Sequence, residues 1–419
     1  MVASHLSLRG RTSRSQRLAG GLLVGVLAFA VAAPMAVAAR YSYDSAAAVQ
    51  GVFRSEDDSR SATRPTLGAR PTAGAQDPWA DKPRLNVLLL GGDAGAGRTG
   101  TRTDTLILAS VDTRTGDTTL FSLPRNTARM PFPKDSPLRE YYPDGFTDGD
   151  GANAEYFLNA MYDNVPVTVP KDTLGETDNL GADALKLSVG TALGLQVDYY
   201  MLINLQGFSK MINALGGIRL NINSYIPIGG NTDRNIPPDD FLEPGPDQKL
   251  DGERALWYAR GRFGSNDYAR MDRQRCVVDA IIKQANPANM LARYEDVAKA
   301  GKEIVRTDMP QEVLPLMVDL SLRVKDGNVR SIVFKHGEDG FLSYDPDFGR
   351  MRQRVKVALG EAKAGGPRPS ASKSTASSAA PTAGGESTPA KTEAPVSEDV
   401  TDSCAFDPEA AATAKPYRG

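Results

Sequence analysis

Histidine is almost missing from this chain, with only His5 and His336 in 419 residues. That scarcity excludes a zinc site built from several histidines. A Ser-His-Asp triad would have to rest on His336, and no G-x-S-x-G elbow accompanies it. An excess of charge is also missing, since 49 basic and 51 acidic residues leave a formal net charge of −2. Neither a general nucleic-acid binder nor an acidic-tail protein follows from that balance. Cysteine is limited to Cys276 and Cys404, an even pair that either bridges or stays as two thiols. No internal repeat and no second globular segment is visible.

Charge vanishes altogether from Leu18 to Ala39, a run of 22 residues long enough to cross a bilayer as a helix. Arg9, Arg11, Arg14 and Arg17 precede it without an acidic neighbour. By the positive-inside rule residues 1–17 are cytoplasmic and everything after Ala39 is outside. Ala36-Val37-Ala38 also reads as a signal-peptidase site, but the span exceeds the usual h-region, so a retained single-pass anchor is preferred. Both readings export the body. Outside the cell ATP and NAD are scarce, so a reaction there must run on energy stored in its own substrate.

Residues 40–83, rich in Ala, Ser, Arg, Pro and Thr, read as a stalk. From Arg84 to about residue 364 the text is globular. Leu85–Leu90, Thr105–Val111 and Thr118–Leu123 are expected strands, the last two joined by a Thr115-Gly116-Asp117 turn. Helices are expected over Ala152–Asn164, Gly181–Leu193, Phe208–Leu215, Arg270–Gln284 and Arg350–Ala362, and strands over Tyr199–Leu205, Ile218–Ile222, Trp257–Phe263 and Val329–Lys335. Asp240–Gly252 reads as a loop. This alternation is that of a layered α/β domain around a central sheet. Residues 365–419 are low-complexity and too poor in apolar side chains to fold alone.

The candidate chemistry sits in two stretches. The first carries Asp93, Arg98, Arg102, Asp104, Arg125 and Arg129, and the second Arg260, Arg262, Asp267, Arg270 and Gln274. Strand periodicity puts Arg102 with Asp104, and Arg260 with Arg262 and Tyr258. Helical spacing puts Asp267, Arg270 and Gln274 on one face. Taken singly, each pair is an ordinary surface feature. Together, clustered guanidiniums need an anion between them, and their bidentate geometry suits phosphate. Asp93, at the carboxyl end of a buried strand, and Asp104 would hold one Mg²⁺ or Mn²⁺. Gly95 to Gly100 formally matches G-x-G-x-x-G, but a strand is expected after it where a dinucleotide site needs a helix.

The segments NVLLLGGD, RTDTLILASVD, FSLPRNT, GANAEYFLNAMYDN, VDYYMLINLQGFSKMINALGGIRLNI, LDGERALWYARGRF and DYARMDRQ resemble, in order, those of the LytR-CpsA-Psr family. The resemblance implies an αβα sandwich with a central mixed sheet and an extracytoplasmic, Mg²⁺-assisted phosphotransferase. Such enzymes move an anionic glycopolymer, such as teichoic acid, from a polyprenyl-pyrophosphate carrier to the 6-hydroxyl of N-acetylmuramic acid in peptidoglycan. It implies that Asp93 and Asp104 bind the metal, and that Arg102, Arg125, Arg129, Arg260, Arg262, Arg270 and Gln274 line the pyrophosphate. Asp104 is the preferred acceptor of the hydroxyl proton. The Tyr199–Leu215 region would help form the groove for the prenyl chain. The family's Pro-Arg-Asp reads Pro124-Arg125-Asn126 here, and Arg98 receives no role. The same residues would serve a protein that only holds the lipid, or a lipid pyrophosphatase.

Overall fold

The computed structural model describes residues 53–55, 57–63, 79, 81–93, 101–150, 153–231, 235–284, 305–338, 341–362 and 398–417. The expected span Leu18–Ala39 and the Gly95–Gly100 match lie outside them. Among the described residues no helix is long and apolar enough to cross a membrane.

Seven strands form the central sheet: β1 (Arg84–Gly92), β2 (Thr103–Asp112), β3 (Thr118–Ser122), β4 (Tyr199–Asn204), β9 (Val305–Thr307), β10 (Val329–Val333) and β11 (Glu398–Asp399). Their order is β11-β10-β3-β2-β1-β4-β9. The sheet is mixed: β1 runs parallel to β4 and antiparallel to β2, while β3 runs parallel to β10. Between β4 and β9 lie two small hairpin sheets, pairing β5 (Ile218–Ile222) with β8 (Gly245–Leu250) and β6 (Ile226–Ile228) with β7 (Asp240–Leu242).

The period-2 alternation of β1 explains the layering. Leu85, Val87 and Leu89 enter one core, and Leu88 and Leu90 the other. The second core is closed by α1 (Met161–Thr168), α2 (Leu180–Leu193) and α7 (Phe348–Ala358). The first is closed by α3 (Leu205–Ala214), α4 (Gly252–Arg260), α5 (Asp267–Gln284) and α6 (Leu314–Asp326). Asn179 caps α2 by accepting from Ala182 N–H at 3.0 Å, and Gly194 ends it at φ +71°.

Several expectations need correction. Trp257–Phe263 is not a strand, because α4 runs to Arg260. Asp251 caps that helix through Arg254 N–H at 2.9 Å. Gly252 lets it lie against α3, where an added Cβ would come within 2.0 Å of Ser209 O. Tyr258 therefore points into the core and not beside the arginines. Ala152–Asn164 is not one helix: short 3₁₀ turns at Ala154–Tyr156 and Leu158–Ala160 precede α1. The supposed loop Asp240–Gly252 contains β7 and β8.

Two stretches read as unstructured contribute to the fold. From the stalk, Phe53 and Trp79 are buried in the first core. Buried Asp183 of α2 accepts hydrogen bonds from Ser61 Oγ (2.7 Å), Ala62 N–H (2.9 Å), Thr63 Oγ1 (2.6 Å) and Thr177 Oγ1 (2.5 Å). From the tail, β11 pairs with β10 and Val400 is fully buried. Cys404 is disulfide-bonded to Cys276 of α5, with the Cα atoms 5.5 Å apart.

Candidate phosphate and lipid site

Parallel strands β1 and β4 end side by side at Gly92 and Asn204. A cavity of about 590 Å³ opens there, at the carboxyl edge where α/β sheets place ligands. It is lined by Asp93, Arg102, Asp104, Arg125, Arg260, Arg262, Arg270 and Gln274. All the expected site residues thus meet in one place except Arg129. That residue follows a turn, sits at φ +52° and lines a separate pocket with Arg139, Asp144 and Asp345. It is therefore absent from the wall that holds Arg125. Arg98 lies outside the described residues.

Each polar group is held by its neighbours. Asp93 Oδ1 accepts the Arg102 backbone N–H at 2.8 Å, and the Asp93 N–H donates to Arg102 O at 3.1 Å. This fixes the end of β1 beside the start of β2. Asp104 Oδ1 accepts from Arg125 Nη1 at 2.9 Å and from Asn159 Nδ2 at 3.1 Å. Burial raises the Asp104 pKa, but Arg125, Asn159 and Arg270 outweigh it and hold the carboxyl below its ordinary value. Asp267, at the start of α5, accepts from Arg270 Nε at 3.1 Å and Nη2 at 3.0 Å and sits 3.5 Å from Arg125 Nε. Arg270 Nη1 also donates to the Asp104 carbonyl at 2.9 Å. Two cavity arginines are thereby tied to one carboxylate.

Arg102 pairs with Glu155 and Arg260 stacks over Trp257 at 4.8 Å. Gln274 Nε2 donates to Ala259 O at 3.3 Å. Arg273 was not foreseen: it is buried and donates to Tyr258 O and Gly261 O, closing the α4–α5 turn from within. Burial pulls its guanidinium pKa down to about 10.

Much of the remaining cavity wall is apolar. Leu89, Ile107 and Met201 come from the sheet, Phe208 and Met211 from α3, and Val277, Val278 and Ile281 from α5. Of these, Met201, Phe208 and Met211 belong to the Tyr199–Leu215 region expected to help form a groove. The α5 residues were missed, although they continue the Arg270–Gln274 helix by one and two turns. Asn159 was also missed, because nothing in FLNAMY distinguishes it from a turn residue. Gly229, Gly230 and Asn231, between β6 and β7, also reach the cavity, while Phe132–Asp150 supplies no lining residue.

Among the described residues no cluster of three or more His, Cys, Asp or Glu could hold a metal. A hard divalent cation that keeps water and takes substrate phosphate oxygens needs only one or two carboxylates. Asp93 and Asp104 fit that donor set, and Asn159 Oδ1, buried without a hydrogen-bond partner, adds an oxygen beside Asp104.

The domain thus sets guanidiniums and carboxylates beside an apolar wall in one cavity. The chain belongs to the LytR_cpsA_psr family, whose description matches residues 49–347. It is 30% identical over 234 residues to the Enterococcus faecalis polyisoprenyl-teichoic acid–peptidoglycan teichoic acid transferase TagU, covering 55% of this chain and 63% of that one. The match thus spans just under two thirds of that relative. The Oceanobacillus iheyensis TagU is 26% identical over 292 residues, 66% of this chain and 77% of the relative. The crystal structure of Streptococcus agalactiae protein gbs0355 aligns with a TM-score of 0.48 at 26% identity, covering 67% of this chain and 90% of that one.

Proposed function

We propose that this chain transfers an anionic glycopolymer from a polyprenyl-pyrophosphate carrier to peptidoglycan, through a phosphodiester to the 6-hydroxyl of N-acetylmuramic acid. The observation that carries the reading is the continuity of the cavity, from arginines and aspartates at the strand ends to Met201, Met211, Val277 and Ile281 in the core. A free nucleotide or sugar phosphate would leave that apolar wall unused. The names of the relatives point to the same substrate class. The chain works outside the cell, anchored by Leu18–Ala39.

The acceptor oxygen attacks the phosphorus that bears the glycopolymer. The bond from that phosphorus to the bridging oxygen breaks, and the carrier leaves as polyprenyl phosphate. The hydroxyl proton passes to solvent. No protein nucleophile is needed, and the work is positioning and charge neutralisation. Arg125 and Arg270, locked to Asp267, face the reacting phosphates, while Arg102, Arg260, Arg262 and Gln274 complete the grip. Asp104 acts as a fixed anion: a carboxyl held below its ordinary pKa is a weak general base but a good orienter of Arg125. Mg²⁺ or Mn²⁺ on Asp93 and Asp104 would supply further neutralisation of phosphate oxygens.

The full chain, incubated with a pyrophosphate-linked lipid glycopolymer, Mg²⁺ and peptidoglycan, should leave polymer covalently attached to the wall. A tight complex with no release of lipid phosphate would reveal a binder instead. Release of lipid phosphate without attachment would reveal a pyrophosphatase.

A further inference from the structure

The last described stretch, residues 398–417, runs from the sheet edge to the rim of the cavity. Glu398 and Asp399 pair with Ser331 and Arg330, and Val400 is buried in the core. Cys404 is bonded to Cys276 on α5. Its carbonyl and that of Ala405 accept from Asn221 and Asn223 Nδ2 at 3.0 and 2.9 Å, and the Asp407 N–H donates to Asn223 Oδ1 at 3.1 Å. The stretch arrives at Tyr417, whose ring lies 5.6 Å from that of Phe263 at an interplanar angle of 46°. Gly264, at φ +73°, has no room for a side chain, since an added Cβ would lie 2.6 Å from Tyr417 Cβ and Cγ.

Phe263 lines the cavity directly after Arg262. The turn Arg260–Gly264 is thus gripped from two sides. Arg273 holds Gly261 O from within the core, and Tyr417 presses on Phe263 and Gly264 from outside.

We propose that Tyr417 is a positioning residue that, through Phe263 and Gly264, holds the turn so that Arg260 and Arg262 face the substrate pyrophosphate. The Cys276–Cys404 bridge keeps the strap in place. The inference rests on the lipid-pyrophosphate reading above. The contact is ring on ring, so Tyr417→Phe should behave as wild type and Tyr417→Ala should not.

Two measurements on the full chain in detergent test it. Hydrogen exchange of the backbone over residues 257–266, without ligand, should quicken in Tyr417→Ala, stay unchanged in Tyr417→Phe, and leave the β1–β2 amides untouched. Affinity for geranyl pyrophosphate in Mg²⁺ should fall about three- to tenfold in Tyr417→Ala, the worth of one aromatic pair, and recover in Tyr417→Phe. Unaltered exchange over 257–266 in Tyr417→Ala overturns the positioning role whatever the affinity does. Quickened exchange with unaltered affinity overturns its link to the arginines. Wild type with no measurable affinity overturns the lipid-pyrophosphate reading, and with it the substrate half of the inference, while the exchange data still decide whether Tyr417 holds the turn.

Discussion

Asp267→Asn isolates the contribution of the carboxylate that ties Arg125 to Arg270. Asp267 accepts two charge-assisted hydrogen bonds from a guanidinium that is only 3% exposed. The amide keeps one acceptor and turns an N–H₂ towards the positive charge. Breaking a buried pair costs about 3–5 kcal/mol when the remaining ion is uncompensated. Here Arg270 keeps its bond to the Asp104 carbonyl, and the Asp267 side chain is 29% exposed, so the expected loss is about 2–3 kcal/mol. The assay is urea unfolding followed by tryptophan fluorescence, with and without saturating geranyl pyrophosphate and Mg²⁺. Because a phosphate oxyanion would replace the lost counter-charge, the gap between variant and wild type should narrow when ligand is bound. A loss below about 1 kcal/mol without ligand, or an equal gap with ligand, would refute the claim that Asp267 is the shared counter-ion.

Three further outcomes are expected. If the apolar wall holds the lipid tail, affinity should rise from inorganic pyrophosphate to geranyl to farnesyl pyrophosphate, by about fourfold per buried methylene. Val278→Asp should flatten that rise, and a flat series in wild type would sink the assignment. Gly91→Ala places a Cβ 2.9 Å from Thr105 Cβ and Oγ1, so it should destabilise by about 1–3 kcal/mol. Thr105→Gly should restore the urea midpoint, and failure to do so would show that the strain lies elsewhere. Asp183→Ala should free residues 53–63, seen as rapid tryptic cleavage after Arg54 and Arg60 with the sheet still folded; protection equal to wild type would count against the clamp.

Elements buried along nearly their whole length were legible in the residues as apolar runs. β1 to β3, α2 with its Gly194 stop, and β4 fall within a residue or two of expectation. The gathering of the arginines in one cavity was legible as well, because clustered guanidiniums repel unless an anion lies between them. The error at Trp257–Phe263 came from reading Tyr258, Arg260 and Arg262 as a period of two, although Asp251 followed by Ala255, Tyr258 and Ala259 carries a capped helical period. Phe53, Trp79 and Val400 were illegible for another reason. Trp79 and Val400 are single apolar residues in polar stretches, Phe53 ends a short segment with no strand or helix period, and only the tertiary structure provides their holes. Arg129 lines a different pocket at a φ of +52°, a local backbone conformation that spacing along the chain does not encode.

Docking of Phe53 and the Asp183 clamp change the length of the leash on this domain. A stalk over residues 40–83, fully extended at about 3.6 Å per residue, would let the cavity roam roughly 160 Å from the expected anchor. With Phe53 seated in the core, only residues 40–52 separate it from Ala39, and their full reach is about 45 Å. On the proposed reading, in which Leu18–Ala39 is the anchor, an arm that short limits how far the domain can stand off the bilayer, and the wall would have to come to the enzyme.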